Sequence, residues 1–192
     1  MPHANSSLIL ASQSPRRREL LTQHGYSFQV ITPHESAECG VCSRETPPEL
    51  VARLAYQKAK DVAQRVDRGV VIGCDTVAEC LGSILGKPKN RDHAREMLHL
   101  MRGRVHHVYS GLCLWMRPGD EHHVQVDVSR LRMDDVSDKD LEAYLDTHAW
   151  EGKSGAFGYQ DEHDWIHLLE GSESNVVGLP MELLAEMLKK LA

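Results

Sequence analysis

No stretch of this chain approaches the ~20 consecutive apolar residues that a membrane-spanning helix needs, so no bilayer span is expected. The start, Met1-Pro2-His3-Ala4-Asn5, has neither the basic region nor the apolar core of a secretory leader. Positive charge is not in excess either. Lys and Arg number 22 against 28 Asp and Glu, a net charge of −6, which excludes a clamp for long nucleic acid. Any polyanion must be met by a local basic cluster, which favours a small phosphorylated ligand. A second Cys-x-x-Cys is missing as well. Cys39-Gly40-Val41-Cys42 has the spacing of zinc sites and redox pairs, but Cys74, Cys80 and Cys113 supply no matching pair. Free thiols, metal ligands and a reversible disulfide all stay open for Cys39 and Cys42. The odd count of five cysteines without a leader suggests reduced thiols and a cytoplasmic protein. Internal repeats, low-complexity tracts and linkers are also lacking, so the 192 residues are read as one domain of one or two lobes.

What is present begins with Leu8-Ile9-Leu10-Ala11, a short buried strand, followed after Ser12-Gln13 by Ser14-Pro15-Arg16-Arg17-Arg18-Glu19. Serine then proline opens a helix well, because the serine oxygen can cap free N–H groups and proline suits the first helical position. Three arginines there oppose the helix dipole, which favours acidic residues at this end. The run is either a solvated basic turn or an anion site in which free N–H groups and guanidinium forks meet a phosphate.

Further along, Tyr26 to Thr32 reads as a strand and Thr46-Pro47-Pro48-Glu49 opens a helix. Gly69 to Gly73 reads as a central strand ending in Cys74-Asp75-Thr76, and Val77 to Leu85 as a hairpin. Asp92 to Met101 is helical, Val105–Trp115 and Val124–Met133 are two longer paired strands, and Ser137 to Asp146 is a helix. Gly152 to Gln160 is a glycine-rich loop, Trp165 to Leu169 a strand, and Leu179 to Leu191 a closing helix. Helices and strands alternate, with strand pairs interrupting, so a mixed α/β sheet is expected.

Asp75, at the expected carboxyl end of the most apolar strand, is the first candidate for chemistry: it can bind a divalent cation or orient water. A plain turn cap is the competing reading. Lys87 before Pro88 suits a phosphate contact or a solvated loop, and Lys58, near the apolar face of its helix, either snorkels or points into a cleft. Gln160, in the loop after Lys153-Ser154-Gly155-Ala156-Phe157-Gly158-Tyr159, can pair with a base edge. Of the twelve histidines, the adjacent pairs His106-His107 and His122-His123 point to opposite strand faces and make no two-His site; most histidines are read as partly exposed.

Taken in order, Leu8–Arg17, Leu54-Ala55 with Lys58-Ala59, Gly73–Thr76, Ile84–Pro88, Gly103 with His106 and Val108, Lys153–Gln160 and Asn175–Pro180 resemble the Maf family of nucleoside triphosphate pyrophosphatases. The resemblance implies a strongly bent mixed sheet with two lobes around a cleft, as in inosine triphosphate pyrophosphatases. It implies hydrolysis at the α-phosphate to a monophosphate and pyrophosphate, with Asp75 as proton acceptor and Ser14, Arg17, Lys58 and Lys87 at phosphate-handling positions. Arg16, Thr76 and Gln160 form the set of members acting on dTTP and UTP, with modified pyrimidine nucleotides as further substrates. A divalent cation, Mg2+ or Mn2+, is implied at Asp75. The family's acidic pair after the second strand is represented by Glu35 or Glu38, offset by a residue or two. A homodimer is compatible with the resemblance. Two rival readings stand beside it: a nucleotide-binding regulatory protein without turnover, and a redox or zinc module built on Cys39 and Cys42.

Overall fold

The computed structural model describes residues 7–38, 44–161 and 163–191. Cys39 and Cys42, and with them the zinc or redox reading, lie outside the described residues, as does the side chain of Glu38.

Seven strands form one mixed sheet: β1 (Leu8–Ala11), β2 (Phe28–Val30), β3 (Gly69–Cys80), β4 (Ser83–Leu85), β5 (Val105–Arg117), β6 (His122–Met133) and β7 (Ile166–Glu170). The order is β2-β1-β3-β5-β6-β7, with β4 on the remaining stretch of β3. β1 runs parallel to β2 and β3, while β3, β5, β6 and β7 are antiparallel in turn. Among the described residues six α-helices cover it: α1 (Pro15–Gln23), α2 (Pro47–Ala63), α3 (Arg91–Met101), α4 (Asp138–Asp146), α5 (Glu173–Val177) and α6 (Met181–Lys190).

α2 shows how the sequence builds the frame. Pro47 and Pro48 occupy its first turn, and Glu49 reaches back to the Thr46 N–H at 2.9 Å, an arrangement that closes a helix start. Its buried face, Leu50, Val51, Leu54, Ala55, Lys58, Ala59 and Val62, repeats every three to four residues. That face meets two glycines. A Cβ at Gly73 would overlap the Ala55 carbonyl oxygen, and one at Gly111 would overlap the Val51 carbonyl oxygen. The helix therefore lies directly on the backbones of β3 and β5, closer than any side chain would allow.

Each long strand serves two cores. Val70, Ile72, Leu112 and Leu114 join Leu20, Leu21 and Leu184 at one end, whereas Ala78, Val108 and Leu131 join α3, α4 and Phe157 at the other. The far face of the first end carries Val71, Cys113 and Trp115 under α2.

Three expectations need correction. The apolar run 69–73 does not mark the strand's end: β3 pairs residue by residue with β5 from Gly69 to Glu79, so Asp75 sits in mid-strand. Hydrophobic content fell only because residues 75 and 76 lose full cover. The expected closing helix is two helices, α5 and α6, parted by Gly178 (φ 124°) and Pro180. The second strand is shorter than expected, at Phe28–Val30.

Candidate active site

β1 stops at Ala11, opposite Gly73. β4 begins pairing with β3 only at Ala78. Between these limits the edge of β3 has no strand partner among the described residues, and Asp75 and Thr76 lie in that gap. Their side chains alternate to opposite faces of the sheet.

Asp75 shares its face with Gly73, so it points under α2, where Lys58 occupies the buried stripe of the helix. Lys58 Nζ lies 2.6 Å from Asp75 Oδ1, with the two side chains 7 % and 14 % exposed. The close seat of α2 on Gly73 and Gly111 makes this reach possible. The lysine read as near an apolar face is thus a buried partner of the carboxylate. A buried pair of this kind costs desolvation energy, which is why it marks function more readily than stability.

Thr76 faces the other way. Its Oγ1 donates to Gly178 O at 3.2 Å and lies 2.8 Å from Ser110 Oγ. Arg17 enters the same knot: Nε donates to Gly178 O at 2.7 Å, Nη1 to Ser12 Oγ at 3.3 Å and Nη2 to Thr76 Oγ1 at 3.2 Å. The resemblance gave Arg17 a phosphate-handling role. In the structure its guanidinium is buried and joins α1, β3 and the α5–α6 junction. Ser14 stands at the N-cap of α1, but its side chain makes no capping bond, contrary to the sequence expectation, and the first turn holds no acidic residue. Ser14 N–H donates to Ser12 Oγ at 3.1 Å instead.

On the Thr76 side of the sheet a cavity of about 290 Å³ opens between Arg16, His106, Lys153, Gln160, Asp161 and Val177. Arg16 donates to Gly152 O at 3.0 Å. Burial, and then the neighbouring Arg17 charge, lower its pKa from the ordinary arginine value, with Asp161 opposing that shift. Gln160 is exposed at the cavity wall. Of the expected site residues, this cavity takes in Arg16 and Gln160; Asp75, Lys58, Arg17, Ser14, Thr76 and Lys87 lie outside its lining. Lys87 is exposed and follows Gly86, whose carbonyl accepts from Gly155 N–H at 3.1 Å, so it sits beside the loop that closes the cavity.

His106 departs from the expectation of partly exposed histidines. It is 3 % exposed and its Nδ1 has no hydrogen-bond partner among the described residues. Burial pushes its pKa down to about 4, so the ring is neutral at physiological pH. The three described cysteines, Cys74, Cys80 and Cys113, are buried free thiols, and burial raises the pKa of each.

Sequence reading missed Asp161, Tyr144 and Ser110. Asp161 follows Gln160 directly, which was a usable signal; nothing in the sequence joined Tyr144 to it. As for a metal, the described residues hold no cluster of three His, Cys, Asp or Glu side chains. Glu35 is exposed on a 3-10 turn over Glu35–Glu38. Among the described residues the gap holds one carboxylate, Asp75, which suits a magnesium-type ion that takes part of its shell from substrate phosphates. Among the described residues, no helix is long and apolar enough to cross a membrane.

The chain is 59 % identical over 184 residues to a dTTP/UTP pyrophosphatase of Rhodopirellula baltica, covering 95 % of this chain and 81 % of that protein. It is 38 % identical over 185 residues to a dTTP/UTP pyrophosphatase of Dictyoglomus thermophilum, covering 96 % and 95 %. A HAM1 protein from Coxiella burnetii has the same fold, with a TM-score of 0.52 at 14 % identity over 96 % of this chain and 99 % of that one. Residues 7–191 match the family model described as Maf-like protein, and on these findings the chain belongs to the Maf family.

Proposed function

We propose that this protein is a dTTP/UTP pyrophosphatase that hydrolyses the nucleoside triphosphate to a monophosphate and pyrophosphate. Its curated relatives carry that activity in their names. The observation that carries the reading is the Lys58–Asp75 pair, held 2.6 Å apart in the unpaired gap of β3 beside the uncapped start of α1.

In this scheme the triphosphate lies along the gap. The free N–H groups of the first α1 turn donate to phosphate oxygens, helped by the dipole of the helix. Asp75 takes a proton from water as its oxygen attacks the α-phosphorus. The bond to the bridging oxygen breaks, and pyrophosphate leaves with the electron pair. Lys58 orients the Asp75 carboxylate through the 2.6 Å contact. Arg16 and Lys87 offset the negative charge that builds on the phosphates, and Arg17 holds the frame on which Thr76 is placed. Asp75, with Glu35 or Glu38 from the loop after β2, would hold a divalent cation that screens phosphate charge when bound. The base enters the cavity walled by Gln160 and Arg16. Modified pyrimidines that keep the same polar edge belong to the same substrate class.

The test is pyrophosphate release over a panel of nucleotides, with and without Mg2+ or Mn2+, for wild type and Asp75→Asn. Turnover of dTTP and UTP should fall about 10²–10⁴-fold in the variant, the range for a lost general base. Nucleotide binding should persist. Binding without turnover by the wild type would support a regulatory nucleotide-binding protein instead, and full activity of Asp75→Asn would remove Asp75 from the chemistry.

A further inference from the structure

The ten residues from Gly152 to Asp161 touch all three positions assigned to base selection. Arg16 donates to Gly152 O at 3.0 Å, and Ser154 Oγ donates to the main-chain oxygen of Thr76 at 2.9 Å. Gln160 belongs to the segment itself. The segment is closed on itself by one carboxylate. Asp161 accepts from Lys153 Nζ, from Tyr144 OH at 2.8 Å and from Gly158 N–H at 3.2 Å. Lys153 and Asp161 are 15 % and 16 % exposed. Gly158 lies so near both that a Cβ there would overlap Lys153 Nζ. Tyr144 is anchored in α4, among the largest fully buried side chains. Burial and the Asp161 hydrogen bond both raise the Tyr144 pKa, so the phenol remains a donor.

We propose that Asp161 is a positioning residue for base selection: its carboxylate latches the Gly152–Asp161 segment to α4 and thereby fixes Gln160 against the cavity. This rests on the cavity being the base site. The Lys58–Asp75 pair lies on the α2 face of β3 and shares no hydrogen bond with Asp161 among the described residues. Loss of the latch therefore changes which nucleotide is held and leaves the hydrolytic step largely intact. A clamp that served only stability would not discriminate among bases.

The experiment measures kcat and KM for dTTP, UTP, dCTP and dGTP with wild type, Asp161→Asn and Tyr144→Phe, alongside thermal melts. Asp161→Asn should raise KM for dTTP and UTP about tenfold, as expected for loss of a charge-assisted hydrogen bond, with kcat within about threefold. The ratio of kcat/KM for dTTP over dCTP and dGTP should narrow about tenfold. Tyr144→Phe should move both quantities in the same direction by about threefold, a neutral hydrogen bond being weaker. An unchanged ratio, or an equal loss on all four nucleotides, overturns the proposal. If Asp161→Asn does not fold, Tyr144→Phe decides by the same ratio, since it keeps the ion pair with Lys153. A wild type that turns over none of the four overturns the hydrolase reading and not the latch. Calorimetric binding of α,β-imido-dUTP against α,β-imido-dCTP by wild type and Tyr144→Phe then applies the same criterion.

Discussion

The two sides of β3 at Asp75 and Thr76 are built by different means. On the α2 side, backbone lies on backbone: the helix rests on Gly73 and Gly111, and Lys58 reaches Asp75 from an otherwise apolar stripe. On the other side, the cavity loop is held by polar bonds from Arg16, Ser154, Lys153 and Tyr144. Close packing has little room to adjust, whereas a polar network can be retuned one bond at a time. The side proposed to cut is rigid by volume, and the side proposed to choose is rigid by hydrogen bonding.

The largest break in that contrast comes from the packing side. Gly111→Ala places a methyl group against the Val51 carbonyl, and should destabilise the fold by about 4 kcal/mol in urea titration, since main chain must move. Lys58→Met leaves the Asp75 carboxylate buried without its cation, at a cost of about 3 kcal/mol; adding Asp75→Asn should recover part of it in a double-mutant cycle. Non-recovery would show that the pair does not act as a unit.

Next in size is a pH effect on the cavity side. His106 has a folded pKa near 4, below the ordinary value of 6.5, so the unfolded chain binds the extra proton between those limits. Its contribution to stability is complete above pH 6.5 and is lost as pH falls toward 4, by up to about 3 kcal/mol. His106→Gln should flatten that part of the stability profile. The smallest effect is that of Ser154→Ala, which removes one bond to the Thr76 carbonyl and should cost about 1 kcal/mol. Its stronger signature is a KM change without loss of kcat.

Much of this was legible in the chain. The order of elements followed from periodicity, and α2 from its proline start and three-to-four residue stripe. Asp75 and Lys58 were each singled out, but their contact was not, because 17 residues separate them and only the Gly73 and Gly111 seats bring helix and strand together. The full length of β3 was hidden because strand composition follows burial, and burial changes at Asp75. Tyr144 was unreadable for another reason: a buried aromatic looks like core in any sequence, and its hydroxyl finds Asp161 only after α4 has docked.

The carbonyl of Gly178 accepts from Arg17, Cys74 and Thr76, across sequence separations of 161, 104 and 102 residues. During synthesis that oxygen follows Arg17 by 161 residues. Arg17 must wait for all of that intervening length before its partner exists. The frame around Thr76 is therefore a late event, closing after the local helices have formed, and contacts of such long range slow folding. Truncation just before Gly178 would leave an arginine, a threonine and a thiol competing for water in an unfinished interior.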